Sequence, residues 1–364
     1  MRGKKSAGAA AAALVMSFLV LVSCSSGVQP DSLSGNEAAP RSPAPTAGQG
    51  LPAVPSHTEV EELYAFIHTR LTGPHGVYTN LLDSDQSDEA ASGHEVLSES
   101  ASLMMRSAVR TGNRELFDQE WALALQTFDM EGGFSYRYSP KQDKQYPINA
   151  AADDLRLIGA LYEAGEAFGD AAYSQEAEKY GQRFYEYNVK DGYMFDLYDS
   201  NYHTVNEFVT LCYINLSVLR KLSISSELRG ILLHNMSGIL EDGYLSDAFP
   251  FYETRFDYKT GEYSSENINT VESLLSILHL AEMNQHRLDS IRYIKEQVEA
   301  GTLYGQYTRE GEPANDIRST AIYALTAMIG AQIGDDSLYR TSIERMNEFR
   351  VSVAGSPLYG GFGN

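Results

Sequence analysis

A glycine-aromatic signature recurs six times along this chain. It reads Gly76-Val77-Tyr78, Gly133-Phe134-Ser135-Tyr136, Gly192-Tyr193-Met194-Phe195, Phe249-Pro250-Phe251-Tyr252, Gly305-Gln306-Tyr307 and Gly361-Phe362, at intervals of 56 to 59 residues. A period kept over six units marks a repeat architecture, in which each unit buries its apolar face against its neighbours. Between the signatures apolar residues recur at helical spacing. They predict helices over 60–71, 97–109, 116–128, 155–168, 173–187, 208–222, 228–240, 268–283, 288–298, 317–333 and 338–349. Breaks within a pair, such as Thr111-Gly112-Asn113, Gly169-Asp170 and Gly334-Asp335, are short, so paired helices run antiparallel. Long loops on one side only favour a closed ring over an open solenoid. The expected fold is all-α: an (α/α)6 toroid, with short β-hairpins and loops on one face and an irregular completion near the termini.

The helices that follow the loops are the apolar ones. Ile317, Ala321, Ile322, Ala324, Leu325, Ala327, Met328 and Ile329 surround nearly a whole circumference, as an inner helix buried on all sides requires. The 173–187 helix carries Glu and Lys on one face and fits an outer ring. The N-termini of the inner helices then converge, with their positive dipole ends aimed at one cleft. Acids mark these starts: Glu99, the Asp153-Asp154 pair, Glu207, Glu266 and Asp316. Any one of them is explained by the helix dipole, and Ser98 or Asn149 by N-capping. Gathered in one bowl with Tyr78, Phe134, Tyr136, Tyr138, Tyr202 and Tyr252, they become the equipment of glycosidic cleavage. One carboxylic acid protonates the leaving oxygen and a second activates water, while crowded negative charge raises the acid's pKa.

Residues 60–190 carry a resemblance. Tyr64-Ala65-Phe66-Ile67 is followed by Gly76-Val77-Tyr78, Ser98-Glu99-Ser100-Ala101, Leu116-Phe117-Asp118 with Trp121, and Ala152-Asp153-Asp154-Leu155 before Ala160-Leu161-Tyr162-Glu163-Ala164-Gly165. This order resembles glycoside hydrolase family 8, the bacterial cellulase-type endoglucanases, with their Ser-Glu-Gly-Gln and Asp-Ala-Asp-Leu helix starts. The resemblance implies that Glu99 is the general acid and that the base is an acid late in the fold. Glu266, in Glu266-Asn267-Ile268-Asn269, stands at a similar place. Asp316, in Asn315-Asp316-Ile317-Arg318, is a rival base. Glu207, Asp316 and Arg318 join the aromatic residues as expected sugar contacts. The family's Gly-Gln is replaced by Ser100-Ala101, and its first Asp by Ala152.

The ends bound the location. Arg2, Lys4 and Lys5 precede the uncharged apolar run 9–22, too short to span a bilayer comfortably, and Leu21-Val22-Ser23-Cys24 reads as a lipobox. Residues 1–23 are thus expected to be a lipoprotein signal peptide, with Cys24 as the lipidated residue. Residues 24–55, rich in Ser, Pro, Gly and Ala, form a disordered tether, and 56–364 form one domain. With Cys24 lipidated, Cys212 has no disulfide partner and reads as a core residue. The 49 acids against 28 bases, a formal net charge of −21, would repel a nucleic acid. No phosphate-cradling glycine loop, His-Glu-x-x-His or Gly-x-Ser-x-Gly motif is present, so neither cofactor nor metal is expected.

The expected protein is a monomeric, lipid-anchored, extracytoplasmic glycoside hydrolase, cleaving a β-glucan-like polysaccharide or an exopolysaccharide near its secretion machinery. A lyase or debranching enzyme on the same toroid is a second reading. A third is a catalytically inactive lipoprotein that binds nascent exopolysaccharide, motivated by Ser100-Ala101 and Ala152.

Overall fold

The computed structural model describes residues 57–85 and 90–363. The signal peptide, Cys24 and nearly all of the tether lie outside the described residues. Among the described residues eleven α-helices follow in order: α1 (His57–Phe66), α2 (Ser98–Arg110), α3 (Arg114–Phe128), α4 (Ala151–Phe168), α5 (Ala171–Asn188), α6 (Leu216–Leu219), α7 (Ser226–Asp242), α8 (Thr270–Glu282), α9 (Leu288–Ala300), α10 (Thr320–Ile333) and α11 (Asp336–Asn347). The even-numbered helices form the inner ring. α2 packs on α4, α4 on α6, α6 on α8 and α8 on α10. All five line one axial cavity of about 340 Å³, which an open stack could not enclose. Among the described residues no helix is long and apolar enough to cross a membrane.

The ring closes where its ends meet. Arg350 pairs with Glu59 at 3.0 Å and with Glu62 of α1, and Gly360 and Gly361 lie against Glu62 and Phe66. Tyr64 of α1 in turn hydrogen-bonds Ser107 of α2. The expected irregular completion near the termini is therefore a docked first helix.

The lead-ins to four of the five inner helices, α2, α4, α6 and α8, are stitched to the next loop. Val96 and Leu97, before α2, pair with Tyr138 and Arg137. Ile148 and Asn149, before α4, bridge to Asp199 and Ser135, and the Ala151 N–H donates to the Asp196 carbonyl at 2.7 Å. Phe208–Thr210 pairs with Arg255–Asp257, and Ile268–Asn269 with Gln306–Tyr307. These ladders satisfy backbone groups that the helix starts would otherwise leave open.

One predicted helix is cut to a single turn. Residues 208–222 form a strand (Phe208–Thr210), a short 3-10 turn (Leu211–Tyr213) and the single turn of α6, capped by the Asn215 side chain. The run Val209, Leu211, Cys212, Ile214 is buried on every side. A short apolar run of that kind fits a buried strand as well as a helix. Here the strand wins because Phe208–Thr210 has the 255–257 strand to pair with.

Candidate active site

The lead-in pairing sets where the first residues of α2 and α4 stand. Glu99, in the first turn of α2, keeps about a third of its side chain accessible. Asp153, in the first turn of α4, is buried. Between them lies Arg156, one turn along α4. Its Nη1 is 2.8 Å from Asp153 Oδ1 and 3.1 Å from Glu99 Oε1. The Ser98 hydroxyl donates to Asp153 Oδ2 at 2.9 Å. Burial pushes the Asp153 carboxyl up to about 7, helped by the negative charge of Glu99 and opposed by Arg156 and Ser98. Burial also works against the charge of Arg156, but Asp153 and Glu99 outweigh it and raise its pKa.

Asp154 points away from this pair. One carboxylate oxygen accepts the Phe134 N–H at 3.0 Å and the other the Asn149 amide at 2.8 Å. Gly133 makes room for it: φ is 148°, and a Cβ there would lie 2.3 Å from Asp154 Oδ2. Asp154 therefore anchors the glycine-aromatic loop to the start of α4. Its carboxyl is pushed up to about 7, mainly by burial.

A second polar cluster adjoins the first. Asp196 accepts both the N–H and the hydroxyl of Thr210, at 2.6 and 2.5 Å, and burial raises it to about 7. Glu272 stands in the first turn of α8, whose N-cap is Asn269. Its Oε2 is buried without a hydrogen-bond partner, as is Nε of Arg255. Burial raises Glu272, and the Arg255 charge opposes that rise. Cys212 ties the two clusters together. Its thiol is pushed well above its usual value, by burial first, and it feels Glu272, Arg156, Asp196 and Glu99 together.

The other expected residues divide by position. Tyr78, Tyr136 and Tyr138 gather around the strand that leads to Glu99. Tyr78 bridges to Val96 and stacks on His94 at 4.0 Å. The Tyr136 carbonyl accepts the Ser98 N–H, and Tyr138 lies against His75 and donates to Asp143 at 2.7 Å. Tyr202 is 79% exposed, between the paired strands Tyr198–Asp199 and Thr204–Val205. Phe134 and Tyr252 are not on an open surface. Phe134 is 1% exposed, packed on Trp121 and Tyr180 under Arg183, and Tyr252 is 3% exposed beside Tyr244. Each follows a loop turn whose aromatic ring fills the core between helices.

Glu266 and Asp316 are exposed in loops, because their helices start later, at Thr270 and Thr320. Glu207 is exposed at the edge of the 208–210 strand and pairs with Lys259. Arg318 pairs with Glu348 at 2.8 Å. The structure thus brings Glu99 and Asp153 together and leaves Glu207, Glu266 and Asp316 at the surface. Sequence reasoning missed Arg156, Asp196 and Glu272. Two signals could have found them: Arg156 is a lone cation in an apolar helix start, and Asn269 is followed three residues on by Glu272, the spacing of a capping box. Among the described residues no group of three or more His, Cys, Asp or Glu side chains is placed to hold a metal ion.

Solved glycoside hydrolases share this (α/α)6 toroid. Over 79% of this chain and 97% of theirs, it matches Cel10 of Klebsiella pneumoniae, a family 8 glycosyl hydrolase, with TM-score 0.57 at 14% identity. A protein described as a novel alpha-amylase from Clostridium perfringens is more similar, with TM-score 0.77 and 30% identity over 86% of this chain and 93% of that one. The chain belongs to the family of that Clostridium protein and shares its fold with the family 8 enzymes. It is also 27% identical over 306 residues to the Bacillus subtilis protein named "Putative lipoprotein YdaJ", covering 82% of this chain and 80% of that one. No family model matches the chain.

The buried acids carry a pH signature. An unfolded Asp titrates near about 3.9, whereas Asp153, Asp154 and Asp196 hold their protons up to about 7 in the fold. Their protonated forms favour the native state at low pH, and that contribution is lost as pH rises through the folded pKa. Stability should therefore fall between about pH 4 and 7 and level off above. Asp154→Asn should lower the urea midpoint at pH 5 yet flatten this slope by up to about one proton's worth. Urea titrations at pH 5, 6, 7 and 8 measure it; an unchanged slope would show that Asp154 does not hold its proton in the fold.

Proposed function

We propose that this protein is a glycoside hydrolase, lipid-anchored at Cys24 outside the cytoplasmic membrane, that cleaves a polysaccharide with Glu99 as proton donor. The observation that carries the reading is the placement of Glu99. It is accessible at the N-terminus of an inner helix, with a carboxyl partner and a guanidinium held behind it and Tyr78, Tyr136 and Tyr138 around its lead-in strand. Tyrosine rings offer flat faces to sugars, and a carboxyl that is both anchored and open to solvent can deliver a proton to a glycosidic oxygen.

Glu272 is the best-placed partner to activate water. It occupies the start of α8 as Glu99 occupies that of α2, and it keeps an oxygen without a partner. An inverting mechanism asks for about 6.5–9.5 Å between the two carboxyl groups, so that a water fits between them. The substrate class follows the relatives. An α-glucan comes first, from the Clostridium protein's description, and a β-glucan second, from the endoglucanase of the same fold; an exopolysaccharide is the third candidate, from the sequence.

Purified protein should release reducing ends from at least one of soluble starch, carboxymethylcellulose and a bacterial exopolysaccharide. Glu99→Gln should lower that rate by about 10²–10⁴-fold while leaving binding in place. Binding without cleavage by either form would establish instead the inactive, polysaccharide-holding protein. In the native host, Cys24→Ala should move the protein from the membrane fraction to the soluble extracytoplasmic fraction; persistence at the membrane would remove the anchor from the account.

A further inference from the structure

Arg156 has a geometry that neither acid catalysis nor packing alone requires. Its Nη1 lies within hydrogen-bonding reach of carboxyl groups on two different inner helices, Asp153 at 2.8 Å and Glu99 at 3.1 Å. Asp153 is held at both oxygens, by Arg156 and by Ser98. Glu99 is held at one, and its accessible end keeps a direction toward solvent. Substrate could therefore meet the free end of Glu99 without disturbing the anchored end.

The other groups facing Arg156 come from two further elements. Cys212 and Tyr213, in the 3-10 turn, are both pushed well above their usual values by burial and stay neutral. His279 of α8 is pushed down to about 4, again by burial, and is neutral near pH 7. Around this guanidinium the charged partners are therefore Glu99 and Asp153. Two carboxyl groups share one cation.

We propose that Arg156 is a positioning residue that ties the proton donor Glu99 to the buried Asp153, so that one guanidinium sets the direction of both carboxyl groups. This rests on the reading of Glu99 as the acid. Its consequences are specific. The cation favours the charged form of Asp153, so removing it raises that midpoint; an opposite charge at this range is worth about 1–3 pH units. It also fixes the direction of Glu99, so removing it lowers kcat more than it changes KM.

The test uses Arg156→Gln, which removes the charge, and Arg156→Lys, which keeps it. The Asp153 carboxyl is followed by carbon-13 NMR, with Asp153→Asn to assign its signal. In R156Q the midpoint should rise by about one unit or more, and in R156K it should stay within about half a unit of wild type. On the substrate that the native protein cleaves, R156Q should lose about 10–100-fold in kcat with KM changed less, and R156K should lose less than R156Q. A folded R156Q whose Asp153 midpoint stays at the wild-type value overturns the inference. If R156Q does not fold, R156K decides: an Asp153 midpoint near the native one supports the inference, and a rise as large as that expected of R156Q refutes it. The two readings fail separately. Full activity in E99Q would remove Glu99 as the acid, whereas an inactive E99Q beside an R156Q with native kcat would remove only the role of Arg156.

Discussion

The strand before each stitched inner helix is hydrogen-bonded to the glycine-aromatic loop that follows, so no inner helix chooses its start alone. This stitching fixes the level at which α2, α4 and α8 begin. It places Glu99, Asp153 and Glu272 in corresponding first turns rather than scattered along the ring. The loops themselves depend on buried polar anchors. Asp154 holds the Phe134 N–H across Gly133, Asp196 holds Thr210, and the buried Arg137–Glu95 pair, at 2.6 Å, fastens the loop to the segment before α2. Partners buried this deeply keep their positions, because losing one leaves the other without compensation.

Much of this was legible in the sequence because a repeat declares itself through spacing. The six signatures gave the number of units, and helical periodicity placed α2, α3, α5, α7, α9 and α11 within three residues of their observed ends. Trp121 and Cys212 are in the core, as their apolar surroundings imply. The 208–222 segment was misread because its apolar run is too short for periodicity to separate strand from helix. What decides it is pairing with residues 255–257, almost fifty positions away. A similar limit applied to the acids. A carboxylate near a helix start is readable, but whether it lies inside the first turn depends on where the cap falls. Asn269 caps α8, so Glu272 is inside and Glu266 is outside. Phe134 and Tyr252 were misplaced for another reason: an aromatic residue in a loop signature serves the core as readily as the surface.

The strongly acidic composition acquires a local meaning in the site. Near Glu99 the acids are not simply repelled into solvent. Burial pushes Asp153 and Asp196 up to about 7 and raises Glu272, and single cations oppose the rise: Arg156 beside Asp153, and Arg255 near Asp196 and Glu272. Carboxyl groups that hold or exchange protons near neutral pH are the working parts of glycoside hydrolysis. The replacement of glycine and glutamine by Ser100 and Ala101 leaves this arrangement intact, since neither side chain is a partner of Glu99, Asp153 or Arg156.

The account stands on sugar meeting the accessible end of Glu99. The most direct measurement is a crystal structure of the Glu99→Gln protein soaked with α-glucan and β-glucan oligosaccharides in turn. A glycosidic oxygen within hydrogen-bonding distance of residue 99, with rings against Tyr136 or Tyr78, is the predicted result. An oligosaccharide seated elsewhere, with residue 99 turned away from it, would contradict the account.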